Sequence, residues 1–181
     1  KYSLLYTMKE KLISKTENNA RVVKILEDVF SDRMRKKALV AFDFDELITN
    51  EHLSAIVSEM MISKKKRDEI ISKYKDYNFR AISAMENAGN GMELCKYQNI
   101  CMKALKRVTW REGMEELLSK LSNQKNFDAL ILSAGKILPQ QMFFRRANIN
   151  PMIFSSEHTI DDGKISGNVY IMTDELKGII L

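Results

Sequence analysis

The spacing of apolar residues changes period several times along the chain. Over residues 1–36 the spacing is helical: Leu4, Leu5, Met8, Leu12 and Ile13, then Val22, Ile25, Leu26, Val29 and Phe30. Steps of three and four put each set on one helix face, so two amphipathic helices are predicted, with a polar break at Thr16 to Asn19. They pack against the domain or cover a sheet edge. Ala38 to Phe42 interrupts that rhythm with an uncharged apolar run, the pattern of a strand buried on both faces. From residue 50 to about 108 the helical period returns, through Ala55, Ile56, Met60 and Met61, then Ile70 and Ile71, then Phe79, Ile82 and Met85. Ala88-Gly89-Asn90-Gly91 is a flexible turn, followed by a helix from Met92 to Lys106.

The second half alternates strand and helix. Thr109-Trp110-Arg111-Glu112 fits a capping box opening a helix that ends near Ser122. Phe127 to Leu132 reads as a second buried strand, closing on Ser133-Ala134-Gly135-Lys136. A helix from Pro139 to Ala147 leads to a third short strand, Met152-Ile153-Phe154. Asp162-Gly163, between arms at Glu157 to Ile160 and Lys164 to Ile171, is a hairpin signal. A last helical turn starts near Thr173. The order β, helical block, α, β, α, β calls for a parallel sheet with right-handed crossovers. The predicted class is α/β, a Rossmann-like parallel three-layer sandwich. Residues 37–49 and 109–181 form its core, residues 50–108 an inserted all-helical cap, and residues 1–36 an N-terminal helical extension.

Composition narrows this picture. The 181 residues are 45% apolar and 29% charged, which excludes a disordered chain. The net charge of +5 suits anionic small molecules. Basic residues are dispersed, with one tight run at Lys64-Lys65-Lys66-Arg67, so no nucleic-acid partner is expected. Cys95 and Cys101 form no C-x-x-C pair and have no histidine nearby, which argues against zinc and for a reducing, cytoplasmic setting. No apolar run approaches the ~20 residues that span a bilayer, and the N-terminus shows no signal-peptide pattern. It also lacks an initiator Met; a processed chain, or one starting inside a longer protein, is expected.

Asp43 and Asp45 follow the first strand, and ligands in open α/β sheets collect at the carboxyl ends of strands. Strand alternation sends both carboxylates to one side, where a cation or proton must offset them. A Mg²⁺ site at Asp43 and Asp45 is predicted, with one acid free to act as nucleophile and the other to move a proton. The bland alternative is an acidic turn closing a strand. Ser133, with the amides of Ala134 and Gly135, is a candidate phosphate site at the start of a helix, Gly135 allowing close approach. The alternative there is an ordinary Ser N-cap. Phe79, Tyr97 and Trp110 are expected to fill the core, and His158 to be structural.

The stretch Asp43-Phe44-Asp45-Glu46-Leu47-Ile48 resembles the first motif of the haloacid dehalogenase superfamily, D-x-D-x-T, with Leu47 in place of Thr. Ser133 matches the second motif. Asp162-Gly163-Lys164-Ile165-Ser166-Gly167, followed by Lys177-Gly-Ile-Ile-Leu181, is similar to the third-motif region of phosphoserine phosphatases. Lys177 is the candidate there, with Lys136 in reserve and Lys164 weaker. The resemblance covers residues 37–181 and implies a Mg²⁺-dependent phosphomonoester hydrolase acting on a small phosphorylated metabolite. Asp43 would form an aspartyl-phosphate, and Asp45 would protonate the leaving oxygen and then activate water. Ser133 and Lys177 would hold the phosphoryl oxygens, and the Asp45 carbonyl would be a further metal ligand. His52 stands where phosphoserine phosphatases carry a Glu for the substrate's amino group, which disfavours phosphoserine; the adjacent Glu51 should face elsewhere.

A fourth motif, G-D-x-x-x-D, is absent, leaving the metal short of carboxylate ligands. The alternative is therefore a catalytically impaired homologue acting as a binding or regulatory module, and a third reading is transfer of the phosphoryl group to an alcohol. In this superfamily the strands that follow lie beside the first one. Its edge is thus expected to be bare, or covered by the N-terminal helices or by a second subunit in a homodimer. An incomplete or naturally shortened chain is the expected explanation.

Overall fold

The computed structural model describes residues 14–33, 38–74, 79–173 and 176–177. In chain order its elements are α1 (Lys15–Arg33), β1 (Ala38–Phe42), α2 (Leu53–Met61), α3 (Lys64–Tyr74), α4 (Phe79–Asn87), α5 (Leu94–Leu105), α6 (Met114–Ser122), β2 (Phe127–Lys136), α7 (Ile137–Arg146), β3 (Met152–Asp161) and β4 (Lys164–Tyr170). The sheet order is β1-β2-β3-β4, parallel from β1 to β3, with β4 antiparallel to β3. The predicted α/β, Rossmann-like class holds. The antiparallel arm is the expected hairpin, closed by Asp162 (φ 46) and Gly163 (φ 70), the paired positive φ of a type I′ turn.

Strand β2 explains the layers. Leu130 and Leu132 face Val22 of α1, together with Phe154, Tyr170, Met172 and Leu176. Ala129 and Ile131 face the opposite way, onto Leu118 of α6 and Phe143 and Phe144 of α7. With apolar partners on both faces, Ala129 to Leu132 carries no polar residue, which is why this part of the strand does not alternate. Ile131 is fully buried, and truncating it to Ala would cost about 2–5 kcal/mol.

The predicted break at Thr16 to Asn19 is instead helical. Asn18 is buried; its Nδ2 donates to the Ile171 carbonyl at 2.8 Å and its Oδ1 accepts the Ile171 N–H at 2.7 Å. A polar side chain that reads as a helix breaker is here a clamp from α1 to the segment after β4. Helix α1 thus lies on a sheet face rather than along β1, and β1 has no outer partner strand among the described residues. The helix predicted at Leu4 to Ile13 falls outside the described residues.

Three further expectations change. The β2–β3 ladder breaks after Leu132 and resumes at Lys136, so Ser133, Ala134 and Gly135 lie in an irregular stretch of strand rather than beyond its end. The predicted third strand and the first hairpin arm are one strand, β3. The capping box does not form: α6 begins at Met114 after Gly113 (φ 79), while the Thr109 N–H donates to Glu51 at 2.7 Å and its hydroxyl to the same carboxylate at 3.1 Å. Asn50 Nδ2 adds bonds of 3.0 Å to Thr109 Oγ1 and to the Trp110 carbonyl. Thr109 therefore closes the neck where the helical block leaves and re-enters the core.

Within that block, Ile62, Ile70, Ala81 and Met85 form a small separate cluster. Ile56 and Val57 of α2, and Tyr97, Cys101 and Ala104 of α5, join the main core instead. Trp110 fills the core as expected, its ring centroid 4.4 Å from that of Phe143.

Candidate active site

The loop after β1 is built around Phe44. Its ring is fully buried, edge-on to Phe143 and Phe144, and its carbonyl accepts the N–H groups of Ile48 at 3.1 Å and Thr49 at 3.4 Å. Between them Glu46 takes φ 63, a left-handed conformation that is uncommon for a residue with a side chain. The hydroxyl missing at Leu47 comes from two residues further on. Buried Thr49 directs Oγ1 to the Phe44 carbonyl at 3.4 Å and the Glu51 carbonyl at 2.7 Å, while Leu47 is 42% exposed.

Asp43 stands at the strand tip. Its Oδ1 accepts the Phe44 N–H at 2.7 Å, and its Oδ2 accepts from Lys177 Nζ at 2.8 Å. Lys177 is tied to Thr173, whose carbonyl accepts the Lys177 N–H at 3.0 Å and whose hydroxyl accepts the Leu176 N–H at 3.3 Å. Of the three lysines considered, Lys177 alone is placed on Asp43 among the described residues. Lys136 turns away to a buried ion pair with Glu86 of α4, and Lys164 lies exposed at the hairpin tip.

Asp45 is mostly buried. Its Oδ2 accepts the Ser54 hydroxyl at 2.7 Å, with His52 Nδ1 3.3 Å away. Its Oδ1 is buried with no hydrogen-bond partner among the described residues. Burial raises the carboxyl pKa above the ordinary value, opposed by the Ser54 hydroxyl, by His52 and by the nearby Ser54 and Leu53 N–H groups. His52 also caps α2, its Nδ1 accepting the Ala55 N–H at 3.3 Å. Glu51 points to Thr109, away from Asp45, as expected.

Ser133 is fully buried. Its Oγ accepts from Gly135 N–H at 3.1 Å and from Gln140 Nε2 at 2.8 Å. A hydroxyl has two acceptor positions and one hydrogen; with both acceptors filled, the hydrogen is the group left to offer an incoming oxygen. The Gly135 amide is thus spent on Ser133 rather than free for phosphate. The absent side chain of Gly135 serves Ser54 and Gln140: a Cβ there would lie 2.0 Å from Ser54 Oγ and 2.9 Å from Gln140 Nε2. Through Ser54, which contacts both, the Asp45 carboxylate and the Ser133 strand share one wall.

A second polar cluster lies between α4, α5 and the end of β2. It holds Glu86, Lys136, Tyr97, Cys101 and His158, whose Nε2 is 3.8 Å from Glu86 Oε2. Burial, then the Lys136 charge, push the His158 pKa down to about 4, which keeps the ring neutral and supports its structural role. Burial likewise raises the Cys101 thiol to about 11.

Sequence reasoning missed Ser54, Gln140 and Glu86. The usable signal was helical: Gln140 is one turn into the helix after Ser133, and Ser54 opens the helix after Asp45. Among the described residues no group of three or more His, Cys, Asp or Glu converges. Asp43 and Asp45 do supply hard oxygen donors, and Mg²⁺ uses one or two carboxylates together with waters and phosphate oxygens. The donor set therefore fits Mg²⁺ in kind.

No model of a protein family matches the chain. A phosphoserine phosphatase of Methanocaldococcus jannaschii is 26% identical over 152 residues, 81% of this chain and 69% of that protein. A substrate-bound phosphoserine phosphatase superposes with a TM-score of 0.56 at 22% identity, covering 80% of this chain and 69% of that one. A phosphoserine phosphatase holding a phospho-aspartyl intermediate analogue gives 0.52 at 20%, covering 78% and 65%. In sequence and in fold the chain is similar to phosphatases of the haloacid dehalogenase superfamily. Among these, the likeness is to phosphoserine phosphatases. The chain spans 65–69% of the length of these relatives.

Proposed function

We propose that the chain is the phosphate-handling part of a Mg²⁺-dependent phosphomonoesterase for a small phosphorylated metabolite. The observation that carries this reading is the meeting of Lys177 Nζ and Asp43 Oδ2 at 2.8 Å across 134 residues of sequence. Asp43 is 47% exposed and Lys177 16%, so water partly screens the pair and it adds little to stability. A lysine beside a nucleophilic carboxylate offsets its charge and that of an arriving phosphoryl group.

In the proposed reaction an Asp43 oxygen attacks phosphorus, forming the aspartyl-phosphate as the ester P–O bond breaks. The departing oxygen keeps the bonding pair and takes the proton held by Asp45. The Asp45 carboxylate then removes a proton from water as that water attacks phosphorus and frees Asp43. Ser133 donates its hydroxyl hydrogen to a phosphoryl oxygen, and Lys177 holds another. Mg²⁺, held by Asp43 and the Asp45 main chain, would neutralise charge on the transferring group. The helical block 50–108 acts as a cap excluding water, its neck fixed by Glu51 and Thr109. His52, capping α2 beside Asp45, puts an imidazole where a leaving alcohol would pass. Free Cys95 and Cys101 suit a cytoplasmic setting.

The test is hydrolysis of p-nitrophenyl phosphate with and without Mg²⁺. Turnover that needs the metal and vanishes in Asp43→Asn supports the reading. One observation favours the second reading, a binding module without turnover: the scarcity of acidic ligands around Asp43 and Asp45. That reading predicts phosphate-ester binding, weakened in Ser133→Ala, with no hydrolysis at any Mg²⁺ concentration.

A further inference from the structure

We infer that Ser54 is a positioning residue for the acid–base step: its hydroxyl holds Asp45 Oδ2 against the first turn of α2 and leaves Oδ1 as the oxygen that carries the proton. The inference rests on the phosphatase reading above and adds a residue to it. The bond from Ser54 Oγ to Asp45 Oδ2 is 2.7 Å, short and charge-assisted when the carboxylate is ionised. A carboxylate with one oxygen so held loses the freedom to exchange its two oxygens. The other oxygen is buried and has no partner among the described residues. Buried polar atoms are rarely left unpaired without a functional reason, and a leaving oxygen or the attacking water would satisfy this one.

The position of Ser54 is itself tightly fixed. Its Oγ occupies the space where a Cβ on residue 135 would be, 2.0 Å from that ideal position. The same glycine donates its N–H to Ser133. Ser54 thus touches the acid on one side and the phosphate-gripping strand on the other, and it belongs to the first helix of the cap. Seating of that helix and aim of the proton are one geometric event. When the ester bond breaks, the Oδ1 proton passes to the departing oxygen, which supplies the electron pair. Oδ2 keeps its bond from Ser54 throughout.

The experiment compares kcat/KM, which reports events up to departure of the alcohol, for p-nitrophenyl phosphate and for an alkyl phosphate. Nitrophenolate leaves without a proton, whereas an alkoxide needs one. In Ser54→Ala, kcat/KM for the alkyl ester should fall by at least about 10-fold while that for the nitrophenyl ester stays within about 3-fold of wild type. A general loss of structure would depress both alike, and equal losses, or no loss, would overturn the inference while leaving the phosphatase reading intact. Ser54→Cys, similar in size and a poor donor, serves if the alanine variant does not fold. A wild-type chain inactive on both esters would overturn the phosphatase reading, and this inference with it.

Discussion

Two lysine–carboxylate pairs flank this fold's candidate phosphate site, and they differ chiefly in burial. Lys177 and Asp43 have side chains 16% and 47% exposed; Lys136 and Glu86 are 4% and 11% exposed. A pair with one partner half in water gains little, because water screens it and ordering two side chains has an entropic cost. A buried pair is different: once both charges have left water, removing either strands the other. The first pair can therefore open for a ligand, while the second is committed to holding α4 on the end of β2. Lys136 sits one residue past Gly135 and looks from sequence like a natural partner for phosphate, yet its charge is already spent.

The contrast can be broken by substituting each pair. Lys177→Met should lower phosphatase turnover by about 10²–10³-fold, with unfolding free energy changed by less than about 1 kcal/mol. Glu86→Leu should do the reverse in denaturant titration, costing about 3–5 kcal/mol by leaving Lys136 unpaired. The double variant Glu86→Leu with Lys136→Met should recover most of that loss. A Lys177 variant that unfolds, or a Glu86 variant as stable as wild type, would erase the distinction.

His158 sharpens it through pH. It faces Glu86 and Lys136, with Tyr97 and Asn168 also against it. Its folded pKa of about 4 lies below the ordinary 6.5, so between these values the unfolded chain binds a proton that the native one refuses. Its contribution is fully present above pH 6.5 and is lost as pH falls toward 4. The loss is of order 3 kcal/mol. His158→Gln should flatten that part of the stability curve. A smaller effect separates Thr49 from Leu47. Thr49→Val should cost about 1–3 kcal/mol by leaving the buried loop carbonyls under-satisfied, while Leu47→Thr, at an exposed position, should stay within about 0.5 kcal/mol.

The residues of the candidate site stand out in the sequence because their signals are local. Asp43 follows an uncharged strand, Ser133 follows the apolar run of another, and Lys177 trails a D-G hairpin; the structure sets Lys177 on Asp43. The misreadings share a physical cause, a polar side chain whose partner is remote in sequence. Asn18 reads as a helix breaker until Ile171 takes both its hydrogen bonds. Thr109 reads as an N-cap until Glu51 reaches it from the other side of the neck. Ser54 goes unremarked in the sequence for the same reason, since nothing near it reveals that Gly135 leaves room for its hydroxyl beside Asp45. Ser133 to Lys136 remain in strand because the ladder to β3 resumes at Lys136, a register no single segment encodes.

The most direct measurement is mass spectrometry of acid-quenched protein during turnover of a phosphate ester with Mg²⁺. The account predicts one phosphoryl group on the peptide containing Asp43, absent in Asp43→Asn and accumulating more in Asp45→Asn when the ester is p-nitrophenyl phosphate. Hydrolysis that proceeds without any phosphorylated Asp43 peptide, or a phosphoryl group found on a different residue, would contradict it.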